Sequence, residues 1–386
     1  MWRLIAVLCA LCACNGKTAN QRSTGAAGDT SRDRNLSTDD LSRELEIVIL
    51  ENYLQLSVGN IEAYADSISR EREVMLLGLS ADATRVGRNQ ELARVDRRPL
   101  KARPRCMPGE RTKLACLTVL SKRLDVHLYA DDSAGWLSDE LSYRVPIGGR
   151  LATIPLRLTA VFVRDIDRWI LVSEHLSYAL PLSEIMDLAR TGELSPVRPY
   201  DNWFSERGRA KLLRDRLERQ FNESEKETTL RSRQLRSKYR RAREERAEGQ
   251  DTNTVREDAM VVIRPTPGAE YHDEQVHDVP SLARVFGAGA RVRIDNYRFD
   301  MAANARVAWM AANLTAEARD PESGRPVRIG LRGTFLFAFD KLSGWNLMQS
   351  HVSVPISDTQ LADRIFGPLP EAERKSDDGE HRPPRR

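Results

Sequence analysis

The chain has 386 residues, enough for two domains of ordinary size. Its 60 Lys and Arg nearly cancel 56 Asp and Glu, leaving a net charge of +4, so there is no global basic field to argue for nucleic acid as a partner. The apolar fraction of 41% and charged fraction of 30% predict sizeable solvated segments beside the cores.

In chain order, Arg3 precedes a continuously apolar run from Leu4 to Ala13. That is the length of a signal-peptide core and too short to span a bilayer. Leu11-Cys12-Ala13-Cys14 resembles the bacterial lipobox, in which the peptidase cuts before a cysteine that carries lipid. Residues 1–13 are therefore expected to be a lipoprotein signal peptide, with Cys14 lipidated and 14–36 a flexible tether. The alternative is an ordinary secretory signal. Asn15 stands where lipoproteins kept in the inner membrane usually carry Asp. The resemblance thus implies an outer-membrane lipoprotein facing the periplasm of a Gram-negative cell. In that oxidising compartment, Cys106 and Cys116 are expected to form a disulfide around Met107-Pro108-Gly109-Glu110. A metal site is the other reading, but two thiols are too few ligands.

Residues 37–195 read as domain one. Ser37 caps a helix carrying Leu41, Leu45, Val48, Ile49 and Leu56, and Asn60 caps a second with Ile61, Tyr64, Ala65 and Ile68. Val74 to Leu77 is a strand, and Arg85 to Lys113 reads as loop. Four strands follow: Leu117 to Tyr129, Gly135 to Tyr143, Ala152 to Val163 and Trp169 to Tyr178. Pro181 to Leu194 is an exit helix, repeated by Pro355 to Phe366. Residues 196–253 form a charged helical connector, weakest near Thr228 and Thr229, whose first half supplies the helical layer of domain two. Domain two covers 254–367, with strands from Val261, Arg291, Ala305 and Val327 onward and a short helix at Ser281 to Gly287. Residues 368–386 read as a disordered tail.

One hairpin occurs twice. Leu156-Arg157-Leu158-Thr159 leads to Trp169, Leu171, His175 and Ser177; Leu331-Arg332-Gly333-Thr334 leads to Trp345, Leu347, His351 and Ser353. Both read L-R-x-T, then W-x-L-x-x-x-H-x-S, and only the turn differs by one residue. With the upstream Trp136 and Trp309, this pattern resembles the SnoaL-like branch of the nuclear-transport-factor-two-like superfamily. The resemblance implies an α+β fold of two cone-shaped domains of cystatin-like type, each a curved mixed sheet wrapped over helices. It also implies a ligand cavity in each cone and dimerisation through the sheet face. The two copies are then expected to pack as an intramolecular pseudo-dimer, or the chain to form a homodimer.

Strand alternation places Trp169, Leu171, Ser173, His175 and Ser177 on one face. If that face looks into the cone, His175 and His351 are the catalytic candidates. Arg157, Thr159, Trp169, His175, Arg332, Thr334, Trp345 and His351 are then the candidate ligand-binding set. The bland reading makes the histidines fold determinants, each substitution destabilising its own domain, and pairs the arginines with an acid such as Glu174. No cofactor or metal motif is present. Arg231, Arg233, Arg236, Lys238, Arg240, Arg241 and Arg243 run without an intervening acid. They read as a solvated helix face or as a contact with anionic lipid. The expected function is that of a lipid-anchored periplasmic protein binding a small apolar ligand or a partner, without assignable catalysis. The alternatives are a lyase, isomerase or cyclase using a cone histidine as acid or base, and a structural scaffold.

Overall fold

The computed structural model describes residues 37–58, 60–79, 84–88, 118–129, 132–147, 150–166, 168–247, 260–272, 279–340, 344–357 and 360–361. The expected signal peptide, Cys14, the tether, Cys106, Cys116 and the tail all lie outside the described residues.

Helix α1, Thr38–Ser57, starts with a reciprocal capping box between Ser37 and Asp40 and buries Leu41, Leu45, Ile49 and Tyr53. Helix α2, Ile61–Asp66, is capped by the Asn60 side chain. Strands β1 (Glu73–Leu77), β2 (Thr84–Arg88), β3 (Thr118–Leu128), β4 (Ala134–Ile147), β5 (Arg150–Asp165) and β6 (Arg168–Ser177) build the first sheet in the order β2-β1-β6-β5-β4-β3. The sheet is mixed, because β1 runs parallel to β6 while the meander is antiparallel. Strand β2 corrects the expected loop: Thr84 to Arg88 pairs antiparallel with β1 at the sheet edge, where a short strand needs ladder partners on one side only. Helix α1 lies so close to β4 that a Cβ on Gly135 would collide with Leu45.

Helix α3, Leu182–Thr191, ends on Gly192 in the left-handed conformation (φ 77°). The connector forms strand β7 (Trp203–Phe204), helix α4 (Arg207–Phe221) and helix α5 (Glu225–Ala247). The break falls at Asn222–Ser224 and not at Thr228, because Ser224 and Glu227 form a second capping box. Helix α4 buries Ala210, Leu213, Leu217 and Phe221 against domain two.

The second sheet comprises β7, β8 (Val261–Ile263), β9 (Glu270–His272), β10 (Arg291–Met301), β11 (Val307–Arg319), β12 (Pro326–Asp340) and β13 (Gly344–Ser353), in the order β7-β10-β11-β12-β13-β8-β9. Helix α6, Leu282–Val285, precedes β10. The repeat extends to register. Leu77 pairs with His175 as Ile263 pairs with His351, and Thr159 pairs with His175 as Thr334 with His351.

Candidate functional site

A bulge decides which way the repeated residues point. Register slips between Val161 and Phe162 opposite Val172, and between Leu336 and Phe337 opposite Met348. Each extra residue reverses the alternation along β6 and β13. Trp169 and Leu171 therefore join the core under the helices, while Ser173, His175 and Ser177 face away from it. The expectation of a single face from Trp169 to Ser177 is corrected, and with it the placement of His175 and His351 in the cones.

The two histidines meet instead where the two sheets pack on each other. Their rings stack with centroids 3.8 Å apart and planes 15° from parallel. His175 places Nδ1 3.2 Å from the Thr334 hydroxyl and Nε2 2.8 Å from that of Ser353. His351 mirrors this, with Nδ1 3.0 Å from Thr159 and Nε2 2.7 Å from Ser177. Every partner belongs to the opposite domain. A hydroxyl both donates and accepts, so four hydroxyls satisfy two neutral imidazoles in either tautomer. Both rings are 0% exposed. Burial, then the neighbouring Arg332 and Arg157 for His175, and burial, then His175 itself for His351, hold both well below the usual imidazole range.

Arg157 and Arg332 cross the same seam. Arg157 Nη1 donates to the Arg264 carbonyl (2.8 Å), the Thr266 carbonyl (3.2 Å) and Glu270 Oε1 (2.7 Å). Arg332 donates to the Gly78 and Leu79 carbonyls and to the Thr84 hydroxyl. Each arginine thus holds the first hairpin of the other domain. The expected partner Glu174 is not involved, because it lies on the opposite face of β6. Trp309 Nε1 donates to the Glu73 carbonyl (3.1 Å), Tyr129 to the Phe339 carbonyl (2.6 Å) and Gln349 to the Leu137 carbonyl (2.9 Å), all between sheets. Around them Trp136, Trp309, Val161, Val172, Leu336 and Met348 form one apolar cluster drawn from both sheets.

The face turned toward the helices of domain one holds a second polar group. Tyr64 donates to both oxygens of Glu174, at 3.0 and 3.1 Å. Burial lifts the Glu174 carboxyl to about 7. Burial and the nearby Glu174 push the Tyr64 and Tyr143 hydroxyls above their ordinary value. Asp139 is more firmly tied, accepting from Tyr53 (3.1 Å) and from the Arg123 backbone N–H (3.2 Å) at the β3 bulge, and burial raises it. Glu174, Tyr64 and Tyr143 are only partly buried. Glu174 was legible at one remove, as the residue five after Trp169 inside the repeat.

Among the described residues domain two has no counterpart of this group. Ser350 occupies the position of Glu174 and accepts from Arg264 (3.3 Å), and Ala312, by its pairing with Gly333, that of Asp139. Phe221, Phe335, Phe337 and Val352 fill its core. Burial lowers the Arg264 guanidinium to about 10.

Of the remaining expected residues, Trp169 is buried in the core, and Trp345 is partly buried with the Arg209 guanidinium 5.3 Å over its ring. In the arginine run, Arg231 pairs with Glu223 (2.7 Å), while Arg233 and Arg236 line a groove. The side chains of Lys238 and Arg243 lie outside the described residues. Among the described residues no group of His, Cys, Asp and Glu is arranged to hold a metal, and no helix is long and apolar enough to cross a membrane.

The family model described as SnoaL-like domain matches residues 120–181 and 239–357. Similar solved structures include an NTF2-like protein with a cystatin-like fold from Novosphingobium aromaticivorans, at 14% identity and TM-score 0.27, over 35% of this chain and 80% of that one. The association domain of CaMKII from C. elegans is similar at 14% identity and TM-score 0.28, over 35% and 93%. An NTF-2 like protein of unknown function from Shewanella oneidensis is similar at 15% identity and TM-score 0.25, over 35% and 97%. No curated protein matches the chain.

Proposed function

We propose that this chain, whose residues 120–181 and 239–357 match the SnoaL-like domain model, is a lipid-anchored envelope protein with two such domains in tandem that binds a small ligand in the cone of its first domain. The second domain acts as a fused partner, making the molecule an intramolecular pseudo-dimer. The carrying observation is the Tyr64–Glu174 pair: a partly buried carboxyl with one donor, beside Tyr143 and among apolar side chains of domain one, with no counterpart in domain two among the described residues. Such a site suits an amphipathic ligand with one polar handle, because convergent polar groups orient what apolar walls hold. The anchor rests on Arg3, the apolar run and Cys14.

Titration with 4-nitrophenol, followed by its absorbance, tests the cone. Saturable binding is expected, weakened about tenfold or more in Glu174→Leu, which removes a hydrogen bond to a buried polar group. No saturable binding to the native protein, or equal affinity in the variant, contradicts it. Labelling cells with a tagged fatty acid tests the anchor, and a Cys14→Ala protein that labels like the native one contradicts it.

A second reading is proton transfer. It is favoured by a carboxyl that titrates near neutrality, where an acid–base group works best. It shifts the acid–base role from the seam histidines to Glu174. A lyase or isomerase activity with a midpoint near pH 7 that vanishes in Glu174→Gln would establish it; activity retained in that variant would exclude it.

A further inference from the structure

Helix α5 turns an unusual face to the rest of domain two. Glu225, Thr228, Thr229, Ser232, Arg233 and Arg236 recur at helical spacing and, with Pro280 and Arg284, line a groove of about 480 Å³. A helix laid on a fold normally directs apolar side chains inward. This one directs hydroxyls and guanidinium groups. Thr228 and Ser232 are only 7% and 6% exposed. The Thr228 hydroxyl has no hydrogen-bond partner among the described residues. Buried hydroxyls left unsatisfied cost stability, so such a wall suits a groove whose occupant is polar.

The groups on the wall bear on the chemistry of that occupant. Among the described lining residues three are arginines, Arg233, Arg236 and Arg284, and one is a carboxylate, Glu225, which pairs with Arg284 at 3.3 Å. Guanidinium forks match the oxygens of phosphate, and adjacent hydroxyls add donors. The volume lies within the ~300–1,000 Å³ of small-ligand sites. We propose that the groove between α5 and α6 binds a phosphate-bearing anion, held by Arg233, Arg236 and Arg284. The exposed Arg240 and Arg241 continue the same helix beyond the groove, so a headgroup presented by a bilayer and a free phosphate ester share the chemistry. This site is separate from the first cone and does not depend on ligand binding there.

The test uses the full chain carrying Cys14→Ser, so that no anchor contributes to membrane binding. Calorimetric titration with inorganic phosphate and with glycerol 3-phosphate measures the free-ester arm. Flotation with phosphatidylcholine vesicles, with and without phosphatidic acid, measures the bilayer arm. The double variant Arg233→Gln/Arg284→Gln changes exposed side chains of the groove. Arg291→Gln/Arg328→Gln removes the same charge from exposed strand positions elsewhere. Saturable binding in at least one arm is expected, weakened about tenfold or more by the groove variant and unchanged in the remote one. Binding in the titrations assigns a free ester; binding only to phosphatidic acid vesicles assigns a lipid headgroup. Absence of saturable binding in both arms overturns the proposal. So does an affinity that the groove variant leaves intact, or one that the remote variant lowers equally.

Discussion

At the residue scale, the histidines act as paired neutral groups. The folded state holds both imidazoles well below their ordinary value of 6.5, so the unfolded chain binds more protons in acid. Their contribution is fully present above pH 6.5 and is lost as pH falls below it. Each adds a slope of about 1.4 kcal/mol per pH unit there. Denaturant unfolding between neutral and mildly acid pH should show this slope, and His351→Gln should reduce it. Glu174 behaves oppositely. Burial raises its carboxyl from 4.5 to about 7, so ionisation costs stability progressively above pH 4.5 and fully above pH 7. Glu174→Gln keeps an acceptor for Tyr64 and should stabilise the protein at alkaline pH by about 2–3 kcal/mol, with no gain in strong acid. Equal stability of the two proteins at alkaline pH would argue against a raised carboxyl.

At the element scale, the bulges at Val172 and Met348 organise the domains, since they turn the tryptophans inward and the histidines outward from one strand. This also marks how far the sequence could be read. The repeat, the helices of domain one, the α+β layout and the long strands follow from periodicity and caps. The faces of β6 and β13 do not, because period-two counting has no signal for an inserted residue. The partners of Arg157 lie 107 to 113 positions away and those of Arg332 across the seam 248 to 254, and no local pattern encodes such separations. Strands β7 and β9 are too short for periodicity to register. The box Ser224-Glu225-Lys226-Glu227 was available as a helix start, and it places the break correctly. Ser224→Ala should cost about 1 kcal/mol locally and fray the start of α5, visible as reduced amide protection there. Unchanged protection would mean the cap does not hold that turn.

At the scale of the whole molecule, the seam makes the domains interdependent. Sequence alone suggested that each histidine stabilises its own domain. The structure redirects that expectation, because His175 bonds Thr334 and Ser353 while His351 bonds Thr159 and Ser177. L-R-x-T and H-x-S are thus one interface written twice, each copy satisfying the other's polar groups. Removing one imidazole leaves two buried hydroxyls of the opposite domain without that partner and costs about 2–4 kcal/mol. Differential scanning calorimetry of the full chain and of His351→Ala measures this most directly. A single cooperative transition is predicted for the native protein, and in the variant the melting of both domains should fall together. Two separate transitions, of which the variant lowers only that of domain two, would contradict it.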